Sequence, residues 1–339
     1  MTTAPSISAL DDVRALLSSL PGPDKNSVDL AAEREPQLTK PPGSLGRLEE
    51  LSHWLAAWQG RHPATMTNAR AHVFAGNHGV TAKGVSAYPS EGTVQMVGNF
   101  QAGGAAINQL CKAFDIDLNV EALDLDNPTV DFTEAPAMSE QEVVSALAHG
   151  MAQVEPGTDV LCLGEMGIGN TTSAAAICHA LYGGEATDWT GPGTGVEGEA
   201  LSAKAQVVAD AVKRHDCKDG LDVLMCLGGR ELAAIAGAVL GARLNAVPVM
   251  LDGYVCTAAA SVLEATISGA LDHCQVGHVS SEPGHQRLLE KLNKTALINF
   301  EMRLGEASGA ALAVGLLKAA AACHSGMATF AEAGVSDKE

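Results

Sequence analysis

The segment DVLCLGEMGIGNTTSAAA, residues 159–176, joins a short apolar run to an Ala-rich run through a turn that contains three glycines. A short apolar run between Asp and Gly is typical of a buried strand, and the residues from Asn170 onward have the composition of a helix. Strand followed directly by helix is the unit of a parallel sheet that is covered by helices. This segment therefore predicts an α/β fold.

The same alternation continues on both sides of this segment. We predict further strands at the apolar runs 69–77, 117–126, 222–229 and 246–253 and, more weakly, at 274–281. We predict helices at the Ala-rich runs 92–111, 139–152, 170–182, 199–214, 229–243 and 254–270. Near-continuous apolar strands that alternate with helices indicate a mostly parallel sheet with both faces covered.

The two ends of the chain have a different pattern. Residues 1–60 and 300–325 are helical in character, with no strand between the helices, so we expect a small helical domain built from both termini. We place the N-terminal part of that domain at 1–65, an α/β nucleotide-binding domain at 66–299, and the C-terminal helical part at 300–339.

Composition excludes several classes of partner. The formal net charge of −19 argues against nucleic acid or an anionic membrane, because both select clustered Lys and Arg. The N-terminal residues lack the pattern of a signal peptide, and no run approaches the about 20 apolar residues of a membrane span. The eight cysteines contain no C-x-x-C pair and lie mostly in apolar runs. We expect reduced thiols in a cytoplasmic protein.

Polar and glycine residues follow the predicted strands. Ligands of open α/β sheets bind at the carboxyl ends of the strands, so we expect these residues to meet in one crevice. They are Asn77 and His78, the range 165–172, the range 228–231, and Asp252 with Gly253.

The turn at 167–172 has the features of an anion site. Gly167 and Gly169 allow close approach of the backbone, and Asn170, Thr171 and Thr172 begin a helix whose free N–H groups would hold a phosphate. The P-loop pattern is absent because no Gly-Lys-Ser/Thr follows. The alternative is a tight strand–helix turn with Asn or Thr as the N-cap.

Two other glycine clusters leave alternatives open. Gly193, Gly195 and Gly198 match G-x-G-x-x-G, but no strand precedes them, so a dinucleotide site is weakly supported. Lys204, on the following helix, either returns its ammonium to the phosphate or is a surface lysine. Gly228 and Gly229 either border the site or form a packing turn.

Acid, base and metal candidates are few. His72 with His78 and His278 with His285 lack the spacing of a zinc site, so we expect no metal and no other cofactor. Glu165 directly follows a strand. Glu306 opens an Ala-rich helix, where glutamate commonly serves the helix dipole, so its role stays open on spacing alone.

Seven motifs resemble one family, the nicotinate-nucleotide–dimethylbenzimidazole phosphoribosyltransferases of cobalamin biosynthesis, from about residue 25 to about residue 325. They are KPPGSLGRLEEL at 40–51, NHGVTAKGVSAYP at 77–89, GEMGIGNTTSAAA at 164–176, GG at 228–229, PVMLDGY at 248–254, GHVSSEPGH at 277–285 and RLGEASGAALA at 303–313. The resemblance implies a doubly wound, Rossmann-like parallel sheet with a small helical domain, and a homodimer.

The resemblance also implies roles for residues. The substrates would be nicotinate mononucleotide and 5,6-dimethylbenzimidazole, with the phosphate at 167–172 and Lys204 closing over it. Glu306 of the RLGE motif would be the general base, and Glu165 would be the second catalytic candidate. The remaining residues expected at the substrates are Asn77, His78, Tyr88, Met96, Gly193, Gly195, Gly228, Gly229, Asp252 and Leu304.

Two positions depart from the family pattern. Asn77 stands where the family commonly has Asp, and Tyr88 stands where a small residue is found in a well-known member. Tyr88 and Met96 align near the base pocket, so a purine or a phenolic acceptor is an alternative to dimethylbenzimidazole.

Two other functional classes compete with this prediction. A kinase or dehydrogenase that uses a dinucleotide would need G-x-G-x-x-G directly after a strand, with an acidic residue about 20 positions further on. A nucleotide-binding regulatory protein would keep the phosphate turn but would have no reason to hold Glu306 beside it.

Overall fold

The computed structural model describes residues 5–336. Its centre is a parallel sheet of five strands in the order β2-β1-β3-β4-β5. The strands are β1 Ala69–Ala75, β2 Ile116–Ala122, β3 Val160–Met166, β4 Val249–Leu251 and β5 Cys274–Val276. The predicted parallel α/β class is confirmed.

Fifteen helices surround the sheet within the described residues. They are α1 Leu10–Leu17, α2 Lys25–Arg34, α3 Arg47–Gln59, α4 Glu91–Gln101, α5 Ala106–Phe114, α6 Glu140–Ala152, α7 Asn170–Tyr182, α8 Ala186–Trp189, α9 Gly198–Arg214, α10 Gly220–Leu227, α11 Arg230–Leu244, α12 Tyr254–Thr266, α13 Pro283–Lys291, α14 Ser308–Gly326 and α15 Phe330–Ala333.

Both faces of the sheet are buried, as the near-continuous apolar strands require. Phe74, Leu163 and Leu251 point to one face and pack with α6, α7 and α10 to α12. Val73 and Met250, one position away in their strands, point to the other face and pack with α3, α5 and α14. The two cores follow from the period of two along each strand.

The predicted strand at 222–229 is wrong, because residues 220–227 form α10. The side chain of Asp219 caps this helix by accepting a hydrogen bond from the backbone N–H of Asp222. The helix is apolar nearly all round because it packs among α6, α7 and α12. A short apolar run of this kind has no period that separates a buried helix from a buried strand.

The predicted helix at 92–111 is two helices, α4 and α5. The break contains Gly103, which has φ +78°, a conformation that glycine adopts without the cost that a side chain would add. Gly104 follows it and packs against Asn99.

Helices from the two ends of the chain pack together, as predicted. α3 contacts both α2 and α14 on one side of the sheet. α1 lies elsewhere: Leu10, Val13 and Leu17 belong to the core on the opposite face. The N-terminal helices are therefore divided between the two cores.

α14 has the length and apolar composition of a membrane span. The expectation that no segment is long and apolar enough to span a membrane is therefore corrected. Half of this segment is buried inside the molecule, where α14 packs on α3, α5 and β3. A core helix between a sheet and other helices needs the same composition, and this packing accounts for it.

Candidate active site

A cleft of about 530 Å³ opens at the carboxyl end of the sheet. Its floor includes Glu165 at the end of β3 and Gly253, which follows β4. Segments 303–306 and 278–282 form further parts of its wall. This is the position at which ligands bind in open parallel sheets.

Glu306 reaches the cleft through an unusual turn before α14. Gly305, Glu306 and Ala307 have φ +84°, +62° and +62°, so three successive residues are in the left-handed region. Two of them carry side chains, for which this conformation is unfavourable and is found mainly at functional sites. The turn directs the carboxyl group of Glu306 into the cleft wall.

The N-terminus of α14 is held by Asp252. One carboxylate oxygen of Asp252 accepts hydrogen bonds from the backbone N–H groups of Gly309 (2.7 Å) and Ala310 (3.0 Å). Asp252 is fully buried and is not part of the cleft wall. Its position therefore fixes the helix that presents Glu306.

Glu165 and Glu306 are neighbours. The backbone N–H of Glu306 donates to the carbonyl oxygen of Glu165 at 3.2 Å, and a side chain at Gly305 would overlap the Glu165 carboxylate. Asn170 donates a hydrogen bond from its side-chain amide to that carboxylate. Two carboxyl groups therefore share one end of the cleft.

Burial raises the pKa of both carboxyl groups. The pKa of Glu165 rises to about 8 because burial disfavours its charged form, and the carboxylates of Asp252, Glu231 and Glu306 raise it further. The pKa of Glu306 rises to about 7 through burial and the nearby Asp252. Groups with such values exchange protons readily near neutral pH.

We predict that Glu165→Gln stabilises the fold at high pH. The unfolded chain releases the Glu165 proton near pH 4.5 and the folded chain near pH 8, so this group costs stability as the pH rises through that window. The advantage of the variant should grow from near zero at pH 4 to as much as about 5 kcal/mol at pH 9, since pKa values of 4.5 and about 8 differ by about 3.5 and one pKa unit corresponds to about 1.4 kcal/mol. Thermal unfolding at several pH values measures it, with the exposed Glu197→Gln as control. A difference that is the same at every pH contradicts the prediction.

The glycine turn lies beside these carboxyl groups. Gly169 is the N-cap of α7 with φ +94°, and a side chain at Gly167 would clash with Glu231 and the Gly76 carbonyl. The backbone N–H groups of Asn170 and Thr172 donate to carbonyl oxygens within the turn. These two amides hold the turn itself, while Gly167, Asn170 and Thr171 form part of the cleft wall.

Lys204 is not a surface lysine, because its side chain is almost fully buried. Its ammonium donates to the Thr171 hydroxyl at 2.8 Å and to the Gly191 carbonyl at 2.9 Å. Burial lowers the pKa of Lys204 to about 8, although Glu282 opposes this shift. The lysine therefore joins the glycine turn to the 191–195 loop, directly behind the cleft wall.

Glu282 and Arg303 complete this end of the cleft. Glu282 accepts a hydrogen bond from the backbone N–H of Gly193 at 2.9 Å, and burial raises its pKa. The guanidinium of Arg303 donates to the Gly193 carbonyl at 2.8 Å and is exposed in the cleft. Arg303 is therefore a cation in the cleft wall, and Lys204 is a second cation behind that wall, bonded to the wall residue Thr171.

His78 belongs to a layer beneath the cleft. Its Nε2 lies 2.5 Å from a carboxylate oxygen of Glu231, and its Nδ1 lies 3.1 Å from the Ser173 hydroxyl. Glu231 is completely buried against Gly76, Gly167 and Gly229. The His78–Glu231 pair therefore packs against the buried side of the glycine turn, at Gly167.

Half of the predicted site residues form the cleft wall: Tyr88, Met96, Glu165, Gly167, Asn170, Thr171, Gly193, Leu304 and Glu306. The others lie outside the wall: Asn77, His78, Gly169, Thr172, Gly195, Lys204, Gly228, Gly229 and Asp252. Asp252 and His78 are buried behind the wall and contact residues that support it, namely Gly309, Ala310 and Glu231. A side chain at a strand end can point into the protein as well as into the cleft. Gly228 and Gly229 follow helix α10, so they do not mark a strand end.

Several wall residues were not predicted: Thr194, Tyr254, Val255, His278, Ser280, Glu282, Arg303 and Gly305. His278 is buried with both ring nitrogens free of hydrogen bonds, so it can bond a ligand in the cleft. His278, Ser280 and Glu282 all belong to the GHVSSEPGH motif. The motif indicated the family, but it did not show which of its side chains face the cleft.

Comparison with known proteins agrees with this geometry. A family model described as a phosphoribosyltransferase matches residues 20–335. The nicotinate-nucleotide–dimethylbenzimidazole phosphoribosyltransferase of Sinorhizobium medicae is 60% identical over 330 residues, which are 97% of each chain. The chain belongs to this phosphoribosyltransferase family. The enzyme of the same name from Rhizobium meliloti is also 60% identical, over 331 residues that cover 97% of this chain and 98% of that protein.

A solved structure extends the family likeness to three dimensions. The crystal structure of CobT from Thermus thermophilus superimposes with a TM-score of 0.86 at 41% identity, covering 92% of this chain and 100% of that one. The range 20–335 matched by the family model contains all five strands and α14. Glu165, Lys204 and Glu306 lie inside that range.

Proposed function

We propose that this protein transfers the 5-phosphoribosyl group of nicotinate mononucleotide to 5,6-dimethylbenzimidazole, giving α-ribazole 5′-phosphate and nicotinate, in cobalamin biosynthesis. The main support is the pair of buried carboxyl groups, Glu165 and Glu306, in the same cleft as the glycine turn. Membership in a family whose relatives have this enzyme name supports the same reaction.

The test is a two-substrate assay. Free nicotinate should appear only when nicotinate mononucleotide and dimethylbenzimidazole are both present, because the base is the acceptor of the phosphoribosyl group. Nicotinate release without an acceptor would indicate a hydrolase, and no release in either mixture would contradict the proposal.

The phosphate of the mononucleotide would bind at the glycine turn. The helix end at α7 and the hydroxyl of Thr171 favour an anion there, and Lys204 contacts that hydroxyl from behind. Arg303 adds a second cation at the mouth. The phosphate would be fixed at one end of the cleft, with the ribose toward Glu165 and Glu306.

The carboxyl groups match the charge changes of the reaction. Nicotinate on ribose is a pyridinium, so C1′ becomes cation-like as the C–N bond to nicotinate breaks, and the ionised form of Glu306 favours that charge. The benzimidazole attacks C1′ from the opposite face, which converts a β linkage to an α linkage. Its N–H becomes acidic as the new C–N bond forms.

Glu306 would take this proton. A general base works best when its pKa lies near the working pH, and burial places the Glu306 pKa at about 7. Glu165, with a pKa of about 8, is protonated for a larger fraction of time and would donate or share a hydrogen bond beside it.

The acceptor pocket would be bordered by Tyr88, Met96 and Leu304, which are apolar residues of the cleft wall. The Ser86 hydroxyl lies 2.7 Å from that of Thr194, which ties the Tyr88 loop to the 193–195 loop. Tyr88 is 63% exposed, so its ring stands at the rim. Dimethylbenzimidazole is the acceptor we propose, and a related purine or phenolic base would contact the same residues.

We predict that Tyr88→Ser changes acceptor selectivity. Removing the ring deletes apolar contact with a bulky base, so the kcat/KM ratio of dimethylbenzimidazole to unsubstituted benzimidazole should fall by about 3- to 10-fold, the effect of about 1 kcal/mol of lost contact. Competition assays with the two bases measure it, with Val335→Ser, another exposed apolar position, as control. Equal ratios in Tyr88→Ser and wild type would remove Tyr88 from the pocket.

We further propose a homodimer. Large apolar side chains remain exposed at Tyr88, Val94, Phe300 and Leu304, of which Tyr88 and Leu304 line the cleft, and exposed apolar surface of this kind is typical of an interface. Light scattering should give twice the chain mass of 34.7 kDa at micromolar concentration. A mass of one chain under these conditions would contradict the proposal.

The remaining proposals concern organisation and location. We propose the domain division 1–65, 66–299 and 300–339, with α2, α3 and α14 as its helical part. We place the protein in the cytoplasm, where the eight free cysteines would stay reduced, and we propose neither a nucleic acid nor a membrane as partner of this acidic chain.

A further inference from the structure

A second group of polar side chains lies where the two ends of the chain pack together. It consists of Glu35 in the turn after α2, His53 on α3 and His324 near the end of α14. The Nδ1 atom of His324 lies 2.6 Å from one carboxylate oxygen of Glu35, and the Nε2 atom of His53 lies 3.6 Å from the same oxygen. The three atoms all lie within 4.8 Å of one another.

The group is enclosed, and one of its members lacks a partner. The side chains of His324 and Glu35 are only 4% and 12% exposed. The Nε2 atom of His53 is buried without a hydrogen bond, although the ring itself is 35% exposed. A buried ring nitrogen without a partner is uncommon, because it loses water and gains nothing in return.

We propose that Glu35, His53 and His324 bind one Zn²⁺ ion, with water as the fourth ligand. Zinc accepts imidazole and carboxylate ligands at about 2.0–2.2 Å in a tetrahedron, which separates the ligand atoms by about 3.3–3.6 Å. The 3.6 Å separation fits this geometry. The 2.6 Å separation is that of a hydrogen bond whose proton the metal ion replaces, so these two atoms move apart on binding.

A second layer of residues is already in place. The Nε2 atoms of His324 and His62 are 2.9 Å apart. When Nδ1 of His324 binds the metal, its Nε2 bears the proton and donates to His62, which fixes the ring. Lys40 binds the other oxygen of Glu35 at 2.7 Å and leaves the first oxygen to the metal, and Glu49, also 2.7 Å from Lys40, balances the charge of that lysine.

The zinc site is separate from the reaction. Glu306 precedes Ser308, the first residue of α14, and about 24 Å of helix at 1.5 Å per residue separate Ser308 from His324. The ion would join α3 and the end of α14 to the turn after α2, so it would stabilise the packing of the two chain ends. The ligands lie at positions 35, 53 and 324, so far apart in sequence that no short sequence motif predicts the site.

The experiment uses untagged protein that is freed of metal with a chelator and titrated with Zn²⁺. We expect one ion per chain by calorimetry and a higher Tm in its presence. His53→Ala should weaken binding by more than about 100-fold, because loss of a second-layer partner alone costs about 10- to 100-fold. The control is His149→Ala, since the His149 side chain is 36% exposed and lies outside the group. Equal zinc affinity in His53→Ala and wild type, or a loss of binding in His149→Ala, would overturn the proposal.

Co²⁺ gives a second measurement that does not depend on the folding of a variant. Bound by nitrogen and oxygen ligands in a tetrahedral site, it should show visible absorption without strong thiolate charge-transfer bands. Such bands would assign the metal to cysteine, and the absence of tetrahedral absorption in the wild type would exclude the site. The activity of His53→Ala should equal that of the wild type at 25 °C.

Discussion

Glu306→Gln is expected to lower kcat by about 10²–10⁴-fold while KM for both substrates changes little, because general-base assistance is typically worth that factor. Glutamine has nearly the shape of glutamate and keeps the left-handed turn at 305–307, but it cannot accept the benzimidazole proton. In the wild type, kcat should rise with pH as the Glu306 carboxyl loses its proton, with a midpoint near its pKa of about 7. The variant should lack this rise.

Two further variants make the result specific. Glu301→Gln changes an exposed glutamate in the same segment and should leave kcat and its pH profile unaltered. Glu165→Gln should lower kcat less than Glu306→Gln does. A larger fall in kcat for Glu165→Gln would make Glu165 the general base in place of Glu306. If Glu306→Gln keeps both the wild-type kcat and the rise with pH, Glu306 only forms part of the turn before α14 and the mechanism is wrong.

Lys204→Ala is expected to raise KM for nicotinate mononucleotide by about 10- to 150-fold, with a much smaller fall in kcat. The variant removes the positive charge behind the Thr171 hydroxyl that faces the phosphate, an effect comparable to that of a charge-assisted hydrogen bond, about 1.5–3 kcal/mol, and the phosphate is remote from the bond that breaks. The ammonium also holds Thr171 and the Gly191 carbonyl, so its removal loosens both sides of the phosphate end. Steady-state kinetics with varied mononucleotide and saturating base measure the effect.

Lys213→Ala is the matched control, since Lys213 is an exposed lysine on the same helix α9. Its KM should equal that of the wild type. Turnover of nicotinate riboside, a substrate that lacks the phosphate, should be insensitive to Lys204→Ala. An unchanged KM for the mononucleotide, or an equal loss with the riboside, would show that Lys204 supports the fold and not the phosphate.

Much of the fold follows from local pattern. β3 and α7 are separated by a glycine turn, and the boundaries of α7 agree with the predicted 170–182. The pattern fails at 222–229, where the apolar residues of α10 face other helices on nearly every side and leave no periodicity. The pattern also fails to predict the position of α1. An apolar face on a helix shows that the helix packs against a core, but it does not show which of the two cores that is.

The site could be predicted only in part. Glycine turns and acidic residues after strands located the cleft, because the carboxyl ends of parallel strands meet at one edge. Which side chains face the cleft depends on tertiary contacts: Asp252 turns inward to the amides of Gly309 and Ala310, and His278 turns toward the cleft. The burial that raises the pKa of Glu306 likewise comes from segments distant in sequence.

The position of α14 also has a consequence for the order of folding. The helix packs on β3 and on α3, whose residues precede it by more than about 140 and 250 positions, so its contacts are of very high sequence separation. Segments of this kind close late, because the loop entropy must be offset before the contact is gained, and synthesis from the N-terminus delivers α14 after all five strands. The glycine turn and Lys204 come from earlier segments, whereas Arg303 and Glu306 arrive with α14. The cleft is therefore complete, and the chain able to catalyse the reaction, only after α14 has docked.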